Sequence, residues 1–66
     1  MTRYSRIKAK RKITQAIGNM EVAQNHLRDF LAMGYQDRQE FLDPVMVSVM
    51  GLDELVKLLT RLEEKI

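Results

Sequence analysis

From Ala9 to Phe30 the apolar residues Ala9, Ile13, Ala16, Met20, Ala23, Leu27 and Phe30 recur at alternating intervals of four and three. At 3.6 residues per turn an α-helix gathers such a set onto one face, whereas a strand would divide it between two. Ile17 and Leu31 flank the stripe and widen it to that of a helix packed in a globular core. A helix with such a stripe has to bury it, so the rest of the chain must supply a partner. Gly18 interrupts the pattern at a cost of up to about 1 kcal/mol relative to alanine. Gly34 follows the last stripe residues, where a left-handed C-cap belongs.

The partner is legible further along. Leu52, Leu55, Leu59, Leu62 and Ile66 repeat the spacing of three and four, and predict a second helix from Pro44 to about Lys65. Between the helices, Asp37 with Glu40 three residues later reads as a capping box that starts a short helical turn through Phe41 and Leu42. Asp43 followed by Pro44 reads as a second start, an N-cap acid and then proline at the first helical position. The expected fold is all-α: a helical hairpin with a short helical turn at the corner. Residues 45–50 have one alternative, because Val45, Val47 and Val49 alternate with Met46, Ser48 and Met50 and could form a strand paired between two copies. Gly51 and Asp53 predict a bend or a fresh cap within the second helix.

With 66 residues the chain has room for a single domain, and one this short buries only roughly 60% of the surface it exposes when unfolded. Small domains compensate with disulfides, a metal or association. The sequence has no cysteine and one histidine, His26, which rules out disulfides and the common structural zinc sites. Association remains. After one stripe is packed, the second helix still has apolar residues to cover, and Val45, Met46, Val49, Met50, Leu55, Leu58 and Leu62 are the expected protein interface. A homodimer forming a four-helix bundle is the expected assembly.

Charge is laid out unevenly. Residues 1–20 contain Arg3, Arg6, Lys8, Lys10, Arg11 and Lys12 and no acid, a local charge of +6; residues 21–66 contain five basic and nine acidic residues, a local charge of −4. Residues 1–12 therefore read as a basic arm or helix overhang, and 13–66 as the hairpin domain. A segment charged on all sides cannot pack into the hairpin, and six cations in twelve residues suit a phosphate backbone. Tyr4 could stack on a base. The expected nucleic-acid-binding residues are Arg3, Tyr4, Arg6, Lys8, Lys10, Arg11 and Lys12, with DNA and RNA both open as partners; the alternatives for this segment are an acidic protein or membrane surface, or a merely solvated tail. The expected function is that of a small nucleic-acid-associated accessory protein. The alternative is a non-enzymatic adaptor, inhibitor or assembly subunit of the kind encoded by phages and mobile elements, docking on a larger protein through its Met-rich surface.

No nucleophile with a base, glycine-rich phosphate loop or convergent carboxylate pair can be assembled from the sequence, so neither catalysis nor a cofactor is expected. Asp37, Glu40 and Asp43 are explained by capping without a metal. His26 is a lone histidine at the edge of the first stripe, beside Asn25, and reads as a boundary residue. Glu63 and Glu64 read as a solvated helix end. No run reaches the length of a membrane span, and no apolar segment follows the cationic start, which predicts a cytoplasmic protein.

The plan of two helices in about this length resembles the small dimeric hairpins of the plasmid RNA-binding Rop type, which form four-helix bundles. The resemblance is one of architecture and carries no function. Val49-Met50-Gly51-Leu52-Asp53 also resembles the second-helix motif of small helical aspartyl-phosphate phosphatases. It matches at Leu52 and Asp53, with valine in place of the opening serine and Gly51 in place of an acid.

Overall fold

The computed structural model describes residues 3–66, and among them the protein is all-α with two long helices and no strand. The first, α1, spans Arg3–Phe30, and the second, α2, spans Gln39–Lys65. Between them Leu31–Tyr35 forms a wide π-helical turn. The turn is broken at Gly34, whose φ of 112° is a conformation that a side chain strongly disfavours. The glycine expected at the C-cap thus takes the positive φ its position implies.

All nine residues assigned to the first stripe and its flanks, from Ala9 to Leu31, are buried or half-buried. The stripe has one further member. Gln24 lies three residues before Leu27 and four after Met20, is 8% exposed, and donates from Nε2 to the backbone carbonyl of Val49 at 3.1 Å. A buried amide needs such a partner, and Gln24 finds it on the other helix. Contacts between the helices pair low residue numbers with high ones: Gln24 with Val49, and Thr14 with Glu63, whose Oε2 accepts from Thr14 Oγ1 at 2.9 Å. The Lys10 carbonyl, 3.1 Å from the same hydroxyl, shares its single proton. Glu63 is half-buried on the packed face of α2 and is not the solvated end that its position suggests.

On α2 the residues turned towards α1 are Leu42, Val45, Val49, Leu52, Val56, Leu59, Glu63 and Ile66, again spaced by three and four. Leu55 and Leu62, expected in this stripe, are exposed instead, and Val56 and Glu63 occupy the packed positions. The physical reason lies at the corner. Val45 and Val49 bury themselves against Leu31, with Leu27, Phe30, Tyr35 and Leu42 around them. That anchor sets the rotation of α2, and every later residue follows at about 100° per step.

The corner itself departs from the expected cap chemistry. The α2 N-cap is Arg38, in an extended conformation with no side-chain cap bond; its carbonyl accepts from the N–H groups of Phe41 and Leu42 at 3.0 and 2.9 Å. Glu40 pairs with the Arg38 guanidinium at 2.6 Å, and Asp43 accepts from Gln39 Nε2 at 2.5 Å. Neither the Asp37–Glu40 capping box nor the Asp43 cap forms. Aromatic packing decides this. Tyr35 stacks on Phe30 at 4.6 Å, Phe41 meets both rings edge-on, and the Arg38 guanidinium sits 5.0 Å above Phe41. Holding Arg38 over Phe41 fixes where α2 begins. Pro44 consequently lies inside α2, where its missing N–H forgoes one bond to the carbonyl of Glu40, an exposed residue. The helix also continues through Gly51 and Asp53, so residues 45–50 are helical, and α2 has neither the corner at Pro44 nor the fresh start at Asp53 that the sequence suggests.

Candidate nucleic-acid interface

Residues 1 and 2 of the basic arm lie outside the described residues; the remainder, 3–12, forms the start of α1. Arg3, Arg6, Lys8, Lys10, Arg11 and Lys12 are all exposed, and none forms an ion pair with a described residue. Their helical spacing sends them around the whole circumference, as expected from their sequence positions. Tyr4 is 74% exposed and Ile7 stands in solvent near it. Every residue from 3 to 8 is exposed, whereas Ala9 is half-buried, as is Ile66 at the end of α2. The cover provided by α2 therefore reaches one helical turn beyond Lys12, where the relative lengths of the helices place its limit. Residues 3–8 project past it by about 9 Å at 1.5 Å per residue.

The electrostatics of this end are additive. A helix N-terminus carries a partial positive charge from its unpaired N–H groups, which acids in the first turn usually offset. Here the first turn has no acid and begins with Arg3. Cations at this end oppose the helix dipole, at about 0.3–1 kcal/mol each. An arriving anion relieves that repulsion.

The residues expected at a protein interface are divided by the structure into three groups. Val45 and Val49 are consumed inside the chain, each 9% exposed in the core with Leu31. The α2 rotation that packs Leu31 buries them there. Met46 and Met50 are exposed on one flank of the packed stripe. Leu55, Leu58 and Leu62 are exposed on the other flank, joined there by Val47, which is not among the residues expected at the interface. The signal for Val47 was present, since it lies four residues before Gly51 and eight before Leu55, on the same side of an uninterrupted helix. It was obscured by the expected break at Gly51.

On the Met50 side a groove of about 450 Å³ is lined by Arg28, Val49, Met50, Asp53, Glu54 and Lys57. Three of its charges, Asp53, Glu54 and Lys57, engage one another. Lys57 lies 3.3 Å from Asp53 and 3.4 Å from Glu54, and hydrogen bonding to Asp53 and then Glu54 raises its pKa above the ordinary lysine value. Asp53, the residue that matches the phosphatase motif, is thus one arm of an exposed i,i+4 ion pair. Among the described residues no group of three or more histidine, acid or cysteine side chains is arranged to hold a metal. His26 is exposed on α1. Among the described residues no helix is long and apolar enough to cross a membrane. Comparison with protein-family models, with curated proteins and with solved structures finds no match for this chain.

Proposed function

We propose that the protein is a small nucleic-acid-associated accessory protein, an antiparallel helical hairpin that pairs with a second copy as a four-helix bundle and offers its basic arms to a phosphate backbone. The observation that carries this proposal is the set of six exposed cations on residues 3–12, none of them in an ion pair among the described residues. Fixed cations with no internal counterion are neutralised by solvent ions, and releasing those ions is what drives binding to DNA and RNA. Tyr4, exposed on the same turns, adds a surface on which an unpaired base can stack. The arm has no second basic helix beside it, so contact is with the backbone and not with a particular base sequence. A protein of this kind works in the cytoplasm.

Anisotropy titrations against duplex and single-stranded DNA and RNA at two salt concentrations test the proposal. Binding at low salt that fades steeply at high salt is expected, together with much weaker binding when Lys8, Lys10, Arg11 and Lys12 become glutamine. Failure to bind any of the four nucleic acids at low salt would refute it.

A second function is favoured by the exposure of Met46 and Met50 beside the Arg28 groove. Flexible thioether side chains suit adaptable protein surfaces, and the chain would then act as an adaptor or inhibitor with the arm guiding approach. Co-purification from the native host separates the two: nucleic acid alone supports the first, and a stoichiometric protein partner supports the second.

A further inference from the structure

On α2, at about 100° per residue, Val47, Gly51, Leu55, Leu58 and Leu62 fall within roughly 80° of one another, centred about 120° from the packed stripe. All five are exposed, Val47 by 69% and Leu58 by 54%. No charged residue interrupts this flank between Val47 and Leu62, whereas the opposite flank holds Asp53 and Lys57 with Met46 and Met50. The first helix extends it. Its contribution to the Met50 groove is Arg28, on one side of its stripe. Ala9, Ala16 and Ala23, seven residues apart and half-buried, lie on the other side. The leucine flank of α2 and the alanine flank of α1 therefore meet along one side of the molecule. Gly51 lies within this surface with nothing within 4 Å of the position a Cβ would take, so an apposed helix can come close there.

We infer that this Val47–Leu62 and Ala9–Ala23 side is where a second copy of the chain docks, in antiparallel orientation, so that each basic arm lies over the partner's corner. The inference rests on the pairing proposed above and specifies its face and sense. An apolar flank without charges, bordered by small residues, fits the same flank of a twofold mate. Charge sets the direction. The contacts Thr14–Glu63 and Gln24–Val49 put Leu55, the middle of the flank, level with about Met20. A twofold axis there carries residues 3–12 of one copy over residues 28–37 of the other and the start of its α2. The corner from Arg28 to Asp43 contains Asp29, Asp37, Glu40 and Asp43 against Arg28 and Arg38, a net negative end. Parallel pairing would instead set two arms of six cations side by side.

The corner offers a direct ruler. Met33 is exposed there, and the chain has no cysteine, so a Met33→Cys variant takes one spin label per copy. Thirteen residues separate Met33 from the axis level, about 20 Å at 1.5 Å per residue, so antiparallel pairing puts the two labels about 40 Å apart. Parallel pairing would bring them within about 25 Å, given interhelical spacings of 8–10 Å. Sedimentation equilibrium on Leu58→Glu and Met50→Glu tests the face: Leu58→Glu is expected to dissociate the dimer and Met50→Glu to leave it intact. If Leu58→Glu fails to fold, the label distance in the otherwise unaltered chain still decides the orientation. A short label distance, or dissociation by Met50→Glu alone, overturns the inference while leaving pairing itself standing. A parent chain that sediments as a monomer refutes the pairing and the inference together.

Discussion

Gln24 is the one buried polar side chain among the described residues, and its replacement by glutamate isolates the bond it makes. Its amide nitrogen donates to the Val49 carbonyl at 3.1 Å from a position 8% exposed. A carboxylate of the same shape has no proton to give, so an acceptor would face an acceptor away from water. Leaving a buried group unsatisfied costs about 1–3 kcal/mol, and more when it is charged. The folded protein then holds that carboxyl protonated more readily than the unfolded chain does, raising its pKa above the ordinary value of about 4.3. A group whose folded pKa is raised destabilises above its unfolded pKa, so the penalty is full at neutral pH and disappears as pH falls below about 4. Once protonated, the acid can donate to Val49 and replace the amide. Urea melts followed by circular dichroism, at one protein concentration and at pH 7 and pH 4, measure this. Gln24→Glu should lose about 1–3 kcal/mol relative to the parent at pH 7 and little at pH 4. Equal stability at pH 7, or a deficit that does not change with pH, would refute the assignment of Gln24 as a buried donor between the helices.

Three substitutions probe the backbone and core. Gly34→Ala, placing a side chain at a φ of 112°, should destabilise by about 1–3 kcal/mol in the same melts. Gly18→Ala should stabilise by up to about 1 kcal/mol, since Gly18 lies inside α1 and a Cβ there meets nothing within 4 Å. Leu31→Ala, which empties the centre of the Leu31–Val45–Val49 cluster, should cost about 2–5 kcal/mol, enough to abolish a cooperative thermal transition in so small a domain.

The all-helical character and the apolar part of the packed face of α1 are legible in the sequence because one period of 3.6 runs from Ala9 to Leu31. The second helix is legible in kind and not in rotation. Its segment has more leucine, valine and methionine than one face can hold, so spacing alone allows two stripes. Contact with Leu31 chooses between them, burying Val45 and Val49 and releasing Leu55 and Leu62. The start of α2 was misplaced for a related reason. Asp37, Glu40, Asp43 and Pro44 have the local chemistry of helix starts, but the stacked Phe30 and Tyr35 rings, with Phe41 edge-on to both and Arg38 over Phe41, fix the start at Arg38. Aromatic contacts across a π-helical turn leave no periodic trace. Gln24 and Glu63 occupy stripe positions and were passed over for their polarity, although the position of each already pointed to the other helix. The basic arm needed no tertiary information, since six cations without an acid remain exposed in any packing of two short helices.

The most direct test of the arm is the salt dependence of its binding. If all six cations of residues 3–12 contact duplex phosphates, log K against log salt concentration should fall with a slope of about −5, and neutralising Lys8, Lys10, Arg11 and Lys12 to glutamine should flatten it to about −2, at about 0.9 per contact. The folded body should remain unchanged, because these side chains are exposed and none of them is paired with an acid of the chain. A parent slope near zero, or an equal slope in the neutralised variant with its helicity intact, would contradict a phosphate-binding arm at the start of α1.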